Sequence, residues 1–123
     1  MLYADSEPAL AIETEGALAE GPARLEVAVQ LGDAPPQPLL LDVSSEGEAL
    51  QVVRGRFLRA DARAGDDGTL HFSVPIVVRA QGNAIVRAQL LTYRCRESCR
   101  ALRASAQRTL TVAAAQSRSG SGP

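Results

Sequence analysis

The sequence contains no lysine and no tryptophan, and its aromatic residues are limited to Tyr3, Phe57, Phe72 and Tyr93. With so few aromatic side chains, it lacks the stacking surfaces that single-stranded nucleic acids require. All 13 basic residues are Arg, and 14 acidic residues bring the net charge to −1. The excess of positive charge typical of nucleic-acid-binding proteins is therefore missing too, and we expect no nucleic-acid partner.

Long hydrophobic runs are also missing. No stretch approaches the roughly 20 consecutive apolar residues that a membrane-spanning helix needs. The first residues, Met1 to Asp5, lack the basic-then-apolar order of a signal peptide. We therefore expect no membrane contact by this segment of chain.

The sequence contains a single histidine, His71. A structural zinc site takes four ligands, and only His71, Cys95 and Cys99 belong to the nitrogen and sulfur types that zinc favours. A Ser-His-Asp triad would have to use His71 as its base, and the Gly-x-Ser-x-Gly motif that presents a nucleophilic serine is absent. We expect no metal, no cofactor and no independent enzyme. His71 is out of register with the apolar residues around it, which predicts that it faces solvent.

The residues that are present follow the period-two alternation of β-strands. At 123 residues the chain has the size of one domain, which we assign to residues 1–115. The Gly/Ser-rich segment 116–123 is predicted to be a disordered tail or a cloning remnant. The alternating apolar residues are Leu10 and Ile12; Leu25, Val27, Val29 and Leu31; Leu39, Leu41 and Val43; and Leu70, Phe72, Val74, Ile76 and Val78.

Further strands are predicted from Ala84 to Tyr93 and around Leu110 and Val112, with turns at 32–38, 44–48, 65–68 and 81–83. Segment 50–58 has no clear period and is predicted as strand or irregular structure, and segment 101–107 could form a helical turn. Pro75 cannot donate a ladder hydrogen bond, so its strand should lie at an edge or be bulged there. Short strands separated by turns predict an all-β sandwich or barrel.

The feature richest in chemistry is Cys95-Arg96-Glu97-Ser98-Cys99, which follows a long predicted strand. Residues that face each other across such a hairpin are close enough for a disulfide. In one interpretation the bond is structural and pins the hairpin tip, which would place the protein in an oxidising, extracytoplasmic compartment. In the other, the pair exchanges disulfides, since the flanking Arg94, Arg96 and Arg100 would favour the reactive thiolate.

The last third of the chain resembles a known type of domain. It combines a strand from Gly82 to Tyr93, the two cysteines around a short polar loop, and a final strand Thr109–Val112. This pattern is similar to the β-stranded C-terminal domain that follows the thioredoxin-like domain and propeller of NHL repeat-containing proteins. More distantly, it resembles the N-terminal immunoglobulin-like domain of the thiol:disulfide interchange protein DsbD.

The resemblance implies an antiparallel immunoglobulin-like β-sandwich and offers two functions. Similarity to the NHL repeat-containing proteins implies a non-catalytic accessory domain, whose partners are other domains of a larger protein or a separate protein. Similarity to the interchange protein implies that Cys95 and Cys99 exchange disulfides with partner proteins, with Tyr93 shielding the pair. We expect the accessory role with a structural disulfide, and keep thiol–disulfide exchange as the alternative.

Overall fold

The computed structural model describes residues 8–14, 18–31, 38–65, 68–95 and 97–112. Within these ranges the chain forms nine strands and one short 3₁₀ turn, Arg59–Asp61. The strands are β1 Ala9–Glu13, β2 Gly21–Gln30, β3 Leu39–Glu46, β4 Leu50–Val52, β5 Arg56–Leu58, β6 Arg63–Ala64, β7 Leu70–Val78, β8 Gly82–Cys95 and β9 Cys99–Val112. The predicted tail at 116–123, most of the predicted turn at 32–38, and Asp66, Asp67 and Arg96 lie outside the described residues.

The strands form two antiparallel sheets. Sheet A has the order β1-β2-β7-β4, and β6 pairs with β7 on the same side as β4; sheet B has the order β5-β3-β8-β9. With β1, β2, β4 and β7 taken as strands A, B, D and E, and β3, β8 and β9 as C, F and G, this is the arrangement of an immunoglobulin-like sandwich. The predicted fold class is confirmed. Among the described residues, no helix is long and apolar enough to cross a membrane.

The core lies between the two sheets and is built from the alternating residues that the sequence indicated. Every second residue of β7 is buried, and so are the three inward residues of β2. Phe57 of sheet B meets Phe72 of sheet A edge to face, with ring centroids 6.0 Å apart. This is a geometry that the charge distribution of aromatic rings favours. The edge strand β5 of sheet B is thus joined to β7 of sheet A by the only two phenylalanines of the chain.

Segment 50–58, which had no clear period, is where the chain passes from one sheet to the other. β4 pairs with β7 in sheet A, whereas β5 pairs with β3 in sheet B. At the crossing, the carbonyl of Gly55 accepts a hydrogen bond from the Val43 N–H at 2.7 Å. A Cβ at Gly55 would collide with the carbonyl oxygen of Val43. The mixed pattern therefore reflects two short strands that belong to different sheets.

The 3₁₀ turn after β5 is held by the side chain of Asp61. Its Oδ2 accepts hydrogen bonds from the backbone N–H of Leu58 and from Arg54 Nη2, both at 2.8 Å. The backbone hydrogen bond, and after it the contact with Arg54, lower the pKa of Asp61 below its ordinary value of 3.8. The Arg54 guanidinium also lies over the Phe57 ring, 4.7 Å from its centroid, so it covers the core at this edge.

Pro75 is accommodated at a gap beside β7. On one side of β7, β4 ends opposite Ile76 and β6 begins opposite His71. The carbonyl of Pro75 accepts a hydrogen bond from the Val53 N–H on that same side, at 2.9 Å. Because the nitrogen and carbonyl of a strand residue point the same way, the proline nitrogen faces the gap and leaves the ladder to β2 intact. The prediction that this strand lies at an edge or is bulged at Pro75 was wrong, because β7 lies between β2 and β4 and its register with β2 is unbroken through Pro75.

β8 and β9 form the longest strand pair of the described residues. Their register is unbroken from Gly82 opposite Val112 to Cys95 opposite Cys99. The prediction that segment 101–107 could form a helical turn was wrong. The segment belongs to β9, and its pairing with β8 overrides the helix preference of its alanines. Among the described residues β3 begins at Leu39, opposite Thr92, so the end of the hairpin extends beyond the described part of this neighbouring segment. The buried Thr92 donates from Oγ1 to the carbonyl of Pro38 at 3.0 Å and fixes the base of this projection.

Arg108 links the two sheets on the side where each has an edge strand. β1 is an edge of sheet A and β9 is an edge of sheet B. Arg108 Nη1 donates a hydrogen bond to the carbonyl of Ile12 at 2.6 Å. Arg108 therefore has a structural contact.

Candidate functional site

The structure contains the disulfide that the sequence suggested. Cys95 and Cys99 are bonded across the last pair of the β8–β9 ladder, with their Cα atoms 4.0 Å apart and a sequence separation of 4. Cys99 is exposed and Cys95 is half-buried. The bond therefore lies at the projecting tip of a hairpin, on its accessible side.

The alternation of β8 and β9 decides which side chains share a face with the disulfide. The even-numbered residues of β8 from Ala84 to Thr92 are buried, so the odd-numbered positions face outward. Cys95 and Tyr93 lie on this outer face, and on β9 the outer face carries Cys99 and Arg103. We call it the outer face of sheet B.

The arginines named from the sequence as flanking groups are not all on this face. Arg100 is exposed, but it follows Cys99 directly in β9. Because neighbouring residues of a strand point to opposite faces, Arg100 lies on the face opposite to Cys99. Arg94 pairs with Arg100 through the backbone, and Arg96 lies outside the described residues. Tyr93, 39% exposed, does share the face of the disulfide. Among the described residues, the nearest arginine on that face is Arg103.

Four residues before Cys95 on β8, beyond the Tyr93–Ala101 pair, the outer face of sheet B carries an apolar row. The register of β5, β3, β8 and β9 aligns Leu58 with Leu40, Leu91 and Arg103. Leu58 is 57% exposed, and Leu40 and Leu91 are half-buried. Together with Tyr93 these leucines form what we call the disulfide-side patch: Leu40, Leu58, Leu91 and Tyr93. Antiparallel sheets normally present polar residues to water, so this row departs from the pattern.

A shallow depression of about 440 Å³ opens on this row. Leu40 and Leu91 line it, with Asp42 on one side and Arg103 on the other. Asp42 is already paired with Arg56, whose Nε lies 3.0 Å from Asp42 Oδ1. Arg103 makes no ion pair within the described part of the chain. The depression therefore contains Arg103, whose positive charge has no ion pair in the described part of the chain, beside the leucines and the polar Gln89 and Ser105.

His71 belongs to a different surface. It is only 26% exposed, and its Nδ1 lies 2.5 Å from Glu26 Oε2 on the outer face of sheet A. Arg63 Nη2 lies 4.0 Å from the other oxygen of the same carboxylate. The sequence thus correctly predicted that His71 lies on an outer face, but it did not predict the contact of His71 with Glu26. His71 and the cysteines lie on opposite faces of the sandwich.

Within the described ranges no group of three or more His, Cys, Asp or Glu residues is placed to hold a metal ion.

Comparison with known proteins gave no match to a protein-family model, a curated protein or a solved structure. The similarity to NHL repeat-containing proteins and to the interchange protein therefore stays a prediction based on the last third of the chain.

The disulfide-side patch was not identified from the sequence. Its leucines come from three segments, β3, β5 and β8, and only the strand register brings them into one row. A signal was present, since Leu40 and Leu91 each follow or precede another leucine, and in a strand two adjacent apolar residues place one of them on the outer face.

Proposed function

We propose that this domain is a non-catalytic accessory domain that binds another protein, or another domain of a larger parent protein of the thioredoxin-like, NHL-repeat type. In this proposal the Cys95–Cys99 disulfide is structural. It fixes the tip of the β8–β9 hairpin beside the surface that makes the contact. Persistence of such a bond implies an oxidising, extracytoplasmic environment.

The observation that carries the proposal is that the disulfide closes an unbroken ladder whose outer face also carries exposed apolar side chains. The bond joins two residues that the pairing of β8 and β9 already places opposite each other. On the same outer face of sheet B, Tyr93 lies in the pair next to the disulfide, and Leu58 lies on β5 in the row of Leu40 and Leu91. Both are large hydrophobic residues that the described chain exposes. Exposed apolar patches on a sheet commonly mark protein contacts.

The arrangement of charges supports a structural role for the bond. A reactive thiolate is stabilised by positive charge close to its sulfur. Arg100 points to the opposite face of the hairpin from Cys99, by strand alternation. The residue of β9 between Cys99 and Arg103 on the outer face is Ala101, which is uncharged. Among the described positions on the face of the sulfurs, the nearest arginine is thus Arg103, four residues along β9 from Cys99.

The exposure of Cys99 favours a second candidate function, thiol–disulfide exchange. A thiolate of a partner dithiol would attack the sulfur of Cys99, the more exposed residue, and form a mixed disulfide while Cys95 leaves as a thiolate. The second thiol of the partner would then attack the mixed disulfide and release Cys99. The partner dithiol is oxidised to a disulfide, and Cys95–Cys99 is reduced to two thiols by the same two electrons.

An insulin-reduction assay separates the two functions. Dithiothreitol reduces insulin slowly, and exchange proteins accelerate this reaction by cycling between dithiol and disulfide. We expect the wild-type domain to give the same rate as the Cys95→Ser/Cys99→Ser variant. An acceleration that is present in the wild type and absent from the variant would overturn the structural role in favour of exchange.

A further inference from the structure

We propose that the disulfide-side patch binds a partner segment that presents an apolar side chain next to an Asp or Glu. The apolar side chain would pack on Leu40, Leu58 and Leu91, and the carboxylate would pair with Arg103. This inference rests on the proposed function as a binding domain, and adds to it the surface and the chemistry of the partner.

The apolar part of the argument comes from the contrast between neighbouring rows of the same face. The row with Leu58, Leu40 and Leu91 is apolar across three adjacent strands. The next row, two residues further along each strand, contains Arg56, Asp42, Gln89 and Ser105 and is polar throughout. The apolar row thus has polar residues on one side and the Tyr93–Ala101 pair on the other, and apolar side chains with polar residues at their border are the composition of a small contact site.

The charge part of the argument comes from β9. The strand contains Arg100, Arg103 and Arg108 and no acidic residue. Arg108 is bound to the carbonyl of Ile12, and Arg100 points away from the patch. Arg103 is therefore the available cation at the apolar row, and a carboxylate is its complementary group because opposite charges across an interface set specificity and association rate.

A second copy of this chain is a poor occupant for the same surface. A two-fold contact brings identical patches together. Each patch is bordered by Arg56, Asp42 and Arg103, and Asp42 already pairs with Arg56. Two copies would therefore face each other with an uncompensated Arg103 each, whereas an acidic partner segment neutralises that charge.

Selection from a displayed library of short random peptides against the oxidised domain tests the proposal. We expect the selected peptides to share an apolar residue adjacent to Asp or Glu. Their affinity should fall about tenfold or more in Arg103→Glu and in Leu91→Ser, a tenfold loss being the ordinary effect of removing one good contact. Arg79→Glu is the matched control, because Arg79 is an exposed arginine beyond the end of β7, and it should bind as the wild type does.

A charge exchange guards against loss of fold in the variants. A peptide in which the selected acidic residue is replaced by Arg should bind Arg103→Glu better than it binds the wild type. Recovery of basic peptides, or binding that none of these variants changes, would overturn the assignment of the surface while leaving a binding function in place. Recovery of no peptide would overturn both this inference and the binding function. Reversible dimerisation that Leu58→Ser abolishes would show that the occupant is a second copy.

Discussion

Removal of the disulfide by Cys95→Ser/Cys99→Ser should destabilise the domain only moderately. The bond closes a loop with a sequence separation of 4. The chain-entropy relation for such a short loop gives a loss of about 2 kcal/mol in the free energy of unfolding at 25 °C. For a domain of this size that corresponds to a fall in Tm of roughly 5–10 °C. The core variant Phe72→Ala serves for comparison. Because Phe72 is fully buried, its replacement should lower the free energy of unfolding by about 3–5 kcal/mol.

The assay is equilibrium unfolding in urea, combined with amide hydrogen exchange of the folded variant. We expect the double serine variant to fold, and its loss of exchange protection to be confined to the projecting part of the hairpin, Tyr93–Ala101, because β3 does not pair beyond Thr92. A loss above about 4 kcal/mol, the upper part of the range for disulfides, would refute the reasoning. So would loss of protection in β2 and β7, because it would mean that the bond holds the sandwich itself.

Three further predictions concern contacts that hold the fold together. Gly55→Ala should destabilise the domain by about 1–3 kcal/mol in urea unfolding, the usual cost of overpacking, because the new Cβ collides with the Val43 carbonyl. The pKa of Asp61, measured by carbon-detected NMR, should lie below 3.8. Because folding lowers this pKa, the stability that the Asp61 carboxylate contributes is present at neutral pH and is lost as the pH falls through the folded pKa. Arg108→Ala should cost about 1 kcal/mol and raise hydrogen exchange in β1, since it removes the bond to Ile12.

These three predictions have clear contradicting results. Wild-type stability of Gly55→Ala would mean that β3 and β5 approach each other less closely than described. An Asp61 midpoint above the ordinary value would show that its two hydrogen bonds are absent in solution. For the pH effect, the stability difference between wild type and Asp61→Asn should shrink in acid and should not grow. Unchanged exchange in β1 would show that Arg108 does not link the sheets.

Strand content was predictable where burial is one-sided. β2 and β7 alternate strictly, because one face of each packs in the core and the other meets solvent. The turn signal around Gly65 and Gly68 is also local, and its hydrogen bond from Gly68 N–H to the Gly65 carbonyl, at 3.1 Å, is present.

Features that depend on distant segments were not predictable in this way. The exchange of sheets at Gly55 depends on β3 and β7, and the strand at 101–107 depends on its pairing with β8. For the site, the position of the two cysteines in one hairpin was foreseeable from their spacing. The face on which they lie, and the leucines on the same face, follow from the register of four strands, which pairs segments that are distant in the chain.

The reduction potential of the Cys95–Cys99 pair tests the central claim most directly. The domain would be equilibrated in a series of dithiothreitol redox buffers, quenched, and its free thiols counted by alkylation. We predict a potential below about −300 mV, the range of structural disulfides. A potential between about −120 and −230 mV, the range of exchange proteins such as glutaredoxins and protein disulfide isomerase, would contradict the structural role and establish the pair as a redox centre.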